Sequence, residues 1–420
     1  MAVMLLVALT VALFAGGASP AHADDVDVDK YDYVLAGNVT FNGEPLDGVL
    51  ITVTGPGTDT EVKTGADGKW RVGVPEKASY TVTLDEDTLP EGVVVTKGGN
   101  TMTAEFGLTK TKSVNFFLGE GTRVTVSFFD QLINRVANGL NFGLLLALAA
   151  IGLSLIYGTT GLSNFAHSEL ITFGALMTLV FAVNLALPVW LAILIALVLS
   201  AALGWTLDAA LWKPLRKRGV GVIQLMIVSI GLALAMRYTY QFYVGGATRQ
   251  LPGASPAKLQ LGPLSLSWID LTSMAISVVV LLGVAYFLLR TRIGKATRAV
   301  SDNPSLASAS GIDVDFVIRV VWVIGAALAG LSGILWAYFR PGVSWDMGFQ
   351  ILLLVFAAVV LGGLGTAFGA LVGSIIVGLF VELSTLVLPP DMKFVGALVV
   401  LIVVLLVRPQ GILGRKERIG

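Results

Sequence analysis

The sequence predicts a polytopic α-helical membrane protein of about nine spans, preceded by a small extracellular antiparallel β-sandwich. Three observations lead there. Hydrophobic residues make up 55% of the 420 residues and charged ones only 13%, whereas an ordinary soluble domain carries roughly 25% charge. Apolar runs long enough to cross a bilayer recur from about Phe128 onward. Between Tyr31 and Gly119, by contrast, apolar and polar residues alternate at period two, with no helical period.

The chain begins with an apolar run, Met1–Phe14, short of the ~20 residues a span needs. Small residues and Ala21-His22-Ala23 follow, an A-x-A cleavage pattern, so residues 1–23 are expected to be a signal peptide. No Lys or Arg precedes the run, which leaves a retained anchor as the alternative. Residues 24–120 are expected to form the extracytoplasmic sandwich. "YVLAGNVTFNG", "VLITVTG", "TGADGKWRVGVP" and "SYTVTLD" read as short strands, separated by Asn-Gly, Asp-Gly and Pro-Gly turns. In that order they resemble the carboxypeptidase-regulatory-like, prealbumin-type sandwich. No acid pair or nucleophile–base pattern accompanies them, which suits a displayed binding or spacer module.

Candidate spans are 135–157, 167–186, 188–212, 220–243, 271–290, 316–339, 350–364, 368–388 and 393–407, with 350–388 open to reading as a span plus a re-entrant piece. Basic residues set the orientation. Lys213, Arg216, Lys217 and Arg218 follow the third span; Arg290, Arg292, Lys295 and Arg298 follow the fifth; Arg408, Arg415, Lys416 and Arg418 lie in the tail. The connection from Gly245 to Asp270 carries only Arg249 and Lys258. The positive-inside rule makes the three clusters cytoplasmic and that connection external. An external β domain and a cytoplasmic tail, 415–420, then require an odd number of crossings.

Absences narrow the function. With no cysteine, thiol nucleophiles and thiolate metal sites are excluded, and with only His22 and His167 a histidine-rich metal site is excluded too. Zero formal net charge removes any general case for nucleic acid. No G-x-x-x-x-G-K-[ST] loop exists: "RTRIGKAT" has Ala296 at the hydroxyl position and Leu289 at the first glycine. Neither "GLSNF" nor "GLSGI" makes a G-x-S-x-G elbow. No enzyme, cofactor or metal is expected.

Two constellations stand out. "GLSNFAHSELITFG", Gly161–Gly174, places Asn164, His167, Ser168 and Glu169 within six positions of an apolar stretch. Continued as a helix, Ser163, Asn164, His167 and Ser168 would share one face, with Glu169 at its edge. Such groups in lipid cost free energy unless they face a cavity or a partner. Two uses account for them: lining a solute path together with Phe165, or bonding helices to one another with Glu169 at headgroup level. "YGTTGLSN" before them reads as a helix break, and "VVLGGLGTAFGALVG" in the C-terminal half, with Gly362, Gly363 and Gly365, reads as a second. Paired broken segments point to a transporter path. The other constellation, "GKATRAVSDNPSLASASGIDVDFVI", is a polar island on the cytoplasmic side. Asn303-Pro304-Ser305 there opens a short helix and Gly311 stops it. Arg237 and Glu382 are ionisable residues inside spans, expected to pair near headgroups; Asp208, near Lys213, reads as a structural charge.

"GLLLALAAIGLSLIYGTTGLSNFAHSELITFGAL", "LWKPLRKR", the polar island, "VLGGLGTAFGALVGSIIVGLFVE" and "RPQGILG" resemble, in order, the permease subunits of high-affinity branched-chain amino acid importers of the ATP-binding cassette class, most closely the H-type. The likeness spans 128–414. It implies a half-channel paired with a second homologous permease, two ATPase subunits and an extracytoplasmic solute-binding protein. The family signature then falls on Asn164, Phe165, Ala166, His167 and Glu169, and the ATPase-coupling loop on Gly294, Arg298, Ala299, Asp302, Ala307 and Gly311. Ser168 stands where the family usually has glycine, and the β domain is an addition. Importers of urea, short amides or sugars remain alternatives. From other classes, a membrane-anchored adhesion protein is disfavoured by the paired broken segments, and an intramembrane hydrolase by the missing serine motif.

Overall fold

The computed structural model describes residues 31–388, except 98, 108, 121–126 and 255–256, and the separate positions 28, 392, 394–395, 398–399, 402, 406 and 411–413. The expected signal peptide, the 415–420 tail and most of the ninth span, 393–407, lie outside the described residues. The chain divides into two compact units, Met1–Thr125 and Val126–Gly420.

In the first unit, β1 (Tyr33–Asn38) lies between β6 (Lys69–Val74) and β10 (Thr111–Ser113), antiparallel to the former and parallel to the latter. A four-stranded antiparallel sheet runs β5 (Thr58–Lys63), β4 (Leu50–Gly55), β7 (Ser79–Leu84), β9 (Thr101–Glu105). A two-residue turn joins β2 (Thr40–Phe41) to β3 (Glu44–Pro45), and β8 (Val93–Lys97) pairs with β11 (Phe117–Glu120). The alternation does what period two requires. Leu35 from the first sheet and Ile51, Val53, Val82 and Leu84 from the second are fully buried in one core with Trp70 and Tyr80. Asn42 (φ 51°) and Gly43 (φ 90°) occupy the left-handed region that a two-residue hairpin turn needs, and an Asn-Gly pair reaches it at least cost.

In the second unit, seven helices among the described residues are long and apolar enough to cross a membrane. They are α1 (Phe128–Thr160), α2 (His167–Asn184), α3 (Val189–Lys217), α4 (Val222–Val244), α5 (Trp268–Arg290), α8 (Val314–Phe339) and α10 (Ala367–Ser384). A shorter apolar helix, α9 (Met347–Gly362), precedes α10. Two helices fill the polar island, α6 (Arg292–Asp302) and α7 (Pro304–Ala309), and a hairpin, β12 (Lys258–Leu261) with β13 (Leu264–Ser267), occupies the connection before α5. α1 and α8 are enclosed by other helices, whereas α3, α4 and α5 keep most of their surface open. Close approach is made by small residues: a Cβ at Gly348 would meet the Ser168 carbonyl oxygen, so only glycine lets α9 lie this near α2.

Candidate functional site

The site begins where α1 ends. Gly161 (φ 68°) caps α1, and its N–H donates to the Tyr157 carbonyl at 2.7 Å. The chain then turns back into the bundle instead of crossing the end of it. His167 Nε2 lies 2.9 Å from the Ala149 carbonyl oxygen. Ala149 precedes Thr160 by about three helical turns, roughly 16 Å of rise, so α2 starts well inside the bundle, not at the end of α1. Ser163 and Asn164 are therefore not on the helix, contrary to the one-face expectation. Asn164 Oδ1 accepts from the Ala166 N–H at 3.1 Å, and its carbonyl accepts from the His167 N–H at 3.2 Å, so its own turn fixes where α2 restarts.

Asn164, His167 and Ser168 are buried at 1% exposure or less. They hold the segment to itself and to α1 and do not face open space. Ser168 Oγ lies 3.1 Å from both the Phe165 carbonyl oxygen and Glu169 Oε1 and shares its one proton between them, which gives the serine at this position a specific use. Phe165 is half-buried; its N–H donates to Ser229 Oγ on α4 at 3.1 Å and its ring packs 5.1 Å from that of Phe356 on α9.

Glu169 is the centre of the arrangement, and its partner is Arg237. Arg237 Nε and Nη2 donate to Glu169 Oε1 at 3.0 and 2.8 Å, and the guanidinium lies 3.8 Å from the centroid of the Phe349 ring. Tyr240 Oη donates to the Glu169 carbonyl at 3.2 Å. The expectation of a headgroup-level pairing for Arg237 is thus replaced by a buried pair with the signature glutamate. A signal for it was present: Leu225, Ser229, Ala233 and Arg237 recur every fourth residue and form the buried stripe of α4.

Gly362 and Gly363 are buried at the end of α9, and Gly365 (φ 76°) completes the turn into α10. This turn packs against Gly158 near the end of α1. The two interrupted segments therefore meet, through Tyr157 and Gly158 of the first and Gly365 of the second, whereas α2 meets α9 at Gly348. The turn also borders a cavity of about 910 Å3 with Tyr157, Lys295, Arg298, Ala299 and Asp302. Pathway and coupling residues named from the sequence, Gly365 with Arg298, Ala299 and Asp302, thus share one cavity.

The polar island is an elbow between α5 and α8. Thr291 Oγ1 caps α6, accepting from the Gly294 N–H at 2.9 Å, and a Cβ at Gly294 would collide with the Phe287 carbonyl, so α6 folds tightly onto the end of α5. Asn303 Oδ1 caps α7 at Leu306 N–H, 2.9 Å, with Pro304 in its first turn, and Gly311 follows at φ 84°. Ala307 is buried with Val300 and Val317, so α7 is packed onto the start of α8, while Leu306 is 65% exposed. At the same end, Asp208, fully buried, pairs with Arg216 at 2.7 Å and Arg319 at 3.4 Å. Lys213, near Asp208 in sequence, pairs with Asp315 at 3.0 Å. Glu382 pairs with Arg135 at 3.6 Å. Among the described residues no group of acidic, histidine or cysteine side chains could hold a metal ion.

Comparison with known proteins adds a family. Residues 135–405 match the family described as branched-chain amino acid transport system / permease component. Among curated proteins, the chain is 31% identical to the high-affinity branched-chain amino acid transport system permease protein LivH of Escherichia coli K12, over 69% of this chain and 97% of that one. It is 30% identical to the corresponding BraD protein of Pseudomonas aeruginosa, over 68% and 96% of the two chains. A weaker likeness, 27% identity over 59% of this chain and 76% of the relative, links it to the ribose import permease protein RbsC of E. coli K12. No solved structure matches the chain with significance.

Proposed function

The chain belongs to the family of permease components of branched-chain amino acid transport systems, and from that premise we propose that it forms half of the passage of an ATP-driven importer for branched-chain amino acids. It pairs with a second homologous permease. Two ATPase subunits dock on the 294–311 elbow, and a solute-binding protein delivers substrate from outside, where the β domain is displayed as a carboxypeptidase-regulatory-like sandwich. Gly294, Arg298, Ala299, Asp302, Ala307 and Gly311 act in coupling, and Phe165 and Glu169 stand on the substrate side.

The observation that carries this reading is the elbow itself. A short helix with an exposed leucine, held by Ala307 to the foot of the enclosed helix α8, suits a surface that a partner pushes. Closure of the ATPases would move α7 and, through Val300 and Val317, shift α8 against its neighbours. The test is Leu306→Glu in the complete importer. Uptake of radiolabelled leucine should fall at least tenfold and ATPase co-purification should weaken, with the amount of permease in the membrane unchanged. Wild-type uptake in that variant would refute the reading. The similarity to a ribose permease keeps sugar import as a second reading; competition of uptake by leucine but not by ribose or urea separates the two.

A further inference from the structure

The ion pairs Asp208–Arg216 and Arg135–Glu382 lie toward helix ends, whereas Glu169 and Arg237 meet where α2 restarts inside the bundle. The geometry of that pair is unusual in one respect. Arg237 Nε, Arg237 Nη2 and Ser168 Oγ all converge on Oε1, at 3.0, 2.8 and 3.1 Å. Glu169 Oε2 is buried and accepts no hydrogen bond among the described residues. A guanidinium facing a carboxylate ordinarily engages both oxygens. Here one oxygen is held in reserve, although a buried unsatisfied acceptor is costly.

The pair also lies beside an open face. Arg237 is covered by Phe349, which is 51% exposed and begins the one open stripe of α9, continuing through the exposed Leu353 to the half-buried Phe356 against Phe165. The neighbouring Gln350 is exposed and its side chain donates to Asp346 at 3.2 Å; across from it Tyr238 stacks on Trp345 at 6.2 Å. Polar groups at this depth belong on a cavity or partner face, not on a lipid face.

The geometry points to the Glu169–Arg237 pair as the selectivity element of the passage: it opens to take a free α-amino acid, the α-ammonium on Glu169 and the α-carboxylate on Arg237, and recloses when the zwitterion has moved on. This rests on the importer reading and deepens it to two contact residues. Removing one partner from a buried pair is strongly destabilising because the survivor stays charged and dry. A zwitterion replaces both partners at once; an amine or an acid replaces one, and urea or a sugar neither. The apolar surface of Phe165, Phe349, Leu353 and Phe356 is then where an aliphatic side chain comes to lie. No covalent chemistry is involved.

The natural absence of cysteine makes the test clean. Leu353→Cys is introduced into the complete importer in proteoliposomes, and its labelling by a soluble maleimide is timed with leucine, leucinamide, isocaproate, urea or ribose present. Leucine should slow labelling at least threefold and the other four should not. In Leu353→Cys combined with Glu169→Gln or Arg237→Gln, leucine protection should be lost or require at least tenfold more leucine. Equal protection by leucine in those variants, or equal protection by urea, overturns the proposal. Glu169→Leu/Arg237→Leu guards against a merely structural bridge, since replacing a whole buried pair by apolar residues often preserves the fold. Wild-type leucine uptake by that double variant also overturns the proposal. If the unmutated importer carries ribose and not leucine, the importer reading fails instead, a result distinct from leucine uptake that ignores residues 169 and 237.

Discussion

Asp208→Asn discharges a carboxylate that is 0% exposed and is shared by two guanidiniums, Arg216 at 2.7 Å and Arg319 at 3.4 Å. Cutting one side of a sealed ion pair costs roughly 3–5 kcal/mol. The survivors here are not sealed, since the side chain of Arg216 is 18% exposed and that of Arg319 is 30% exposed. Both can swing toward water or headgroups, so the loss should be about 2 kcal/mol, below the sealed-pair range. For a unit this large each kcal/mol moves Tm by about 2 °C, giving a fall of about 4 °C. The two arginines should behave non-additively. Arg216→Leu or Arg319→Leu alone leaves Asp208 one partner and should cost about 1 kcal/mol, whereas both together strand a buried carboxylate and should cost about 3–5 kcal/mol. Scanning fluorimetry of the detergent-solubilised chain reads all four variants. A double variant whose loss equals the sum of the two singles would refute the shared-partner argument, because additivity is the signature of independent sites.

Gly348→Val drives a branched side chain into the Ser168 carbonyl oxygen and toward Thr172 Oγ1. Overpacking of this kind costs about 1–3 kcal/mol, and because it parts α2 from α9 it should lower leucine uptake more than it lowers Tm; an unchanged uptake rate would show that the α2–α9 contact is incidental. In the β unit, Trp70 is 2% exposed at the centre of the shared core. Trp70→Ala should cost about 3–5 kcal/mol and should appear as faster proteolysis within residues 31–120 of the membrane-inserted chain, while resistance equal to wild type would contradict the single-core description.

Where local chemistry decides the outcome, the sequence was a good guide. Asn303-Pro304 and Gly311 bracket α7 because a side-chain cap, a proline in the first turn and a positive φ are short-range facts. Asn42-Gly43 makes its hairpin for the same reason. The helical membrane class followed from composition and the length of the apolar runs. What the sequence hid were choices made across space. Asp208 read as a structural charge near Lys213, and its partners could not be named, because the wide turn over Asp208–Trp212 alters the angular register of α3. Arg216 then reaches Asp208, and Lys213 reaches Asp315 on α8. Arg237 looked like a headgroup charge, since nothing local says that the chain before α2 re-enters the bundle and carries Glu169 to it.

The C-terminal motif "RPQGILG" shows the same division between local and long-range information. Read locally it is a loop after a span. In the structure the Ile412 and Leu413 N–H groups donate to the Leu361 and Gly362 carbonyls at 2.7 and 2.9 Å. These are carbonyls at the C-terminal end of α9, which have no partner within their own helix. Gly411 (φ 75°) comes so close that a Cβ there would meet the Val360 carbonyl. Residues 411–413 therefore close α9 in the way a capping motif closes a helix, with donors drawn from residues some fifty positions later in the chain. Since the same α9 end leads into the Gly363–Gly365 turn and hence into the cavity with Arg298 and Asp302, residues 411–413 brace the place where the polar island and the bundle meet. An ordered match to a distant motif is thus a packing constraint: the Gly411-Ile412-Leu413 part of "RPQGILG" covers carbonyls that "VLGGLG" leaves open.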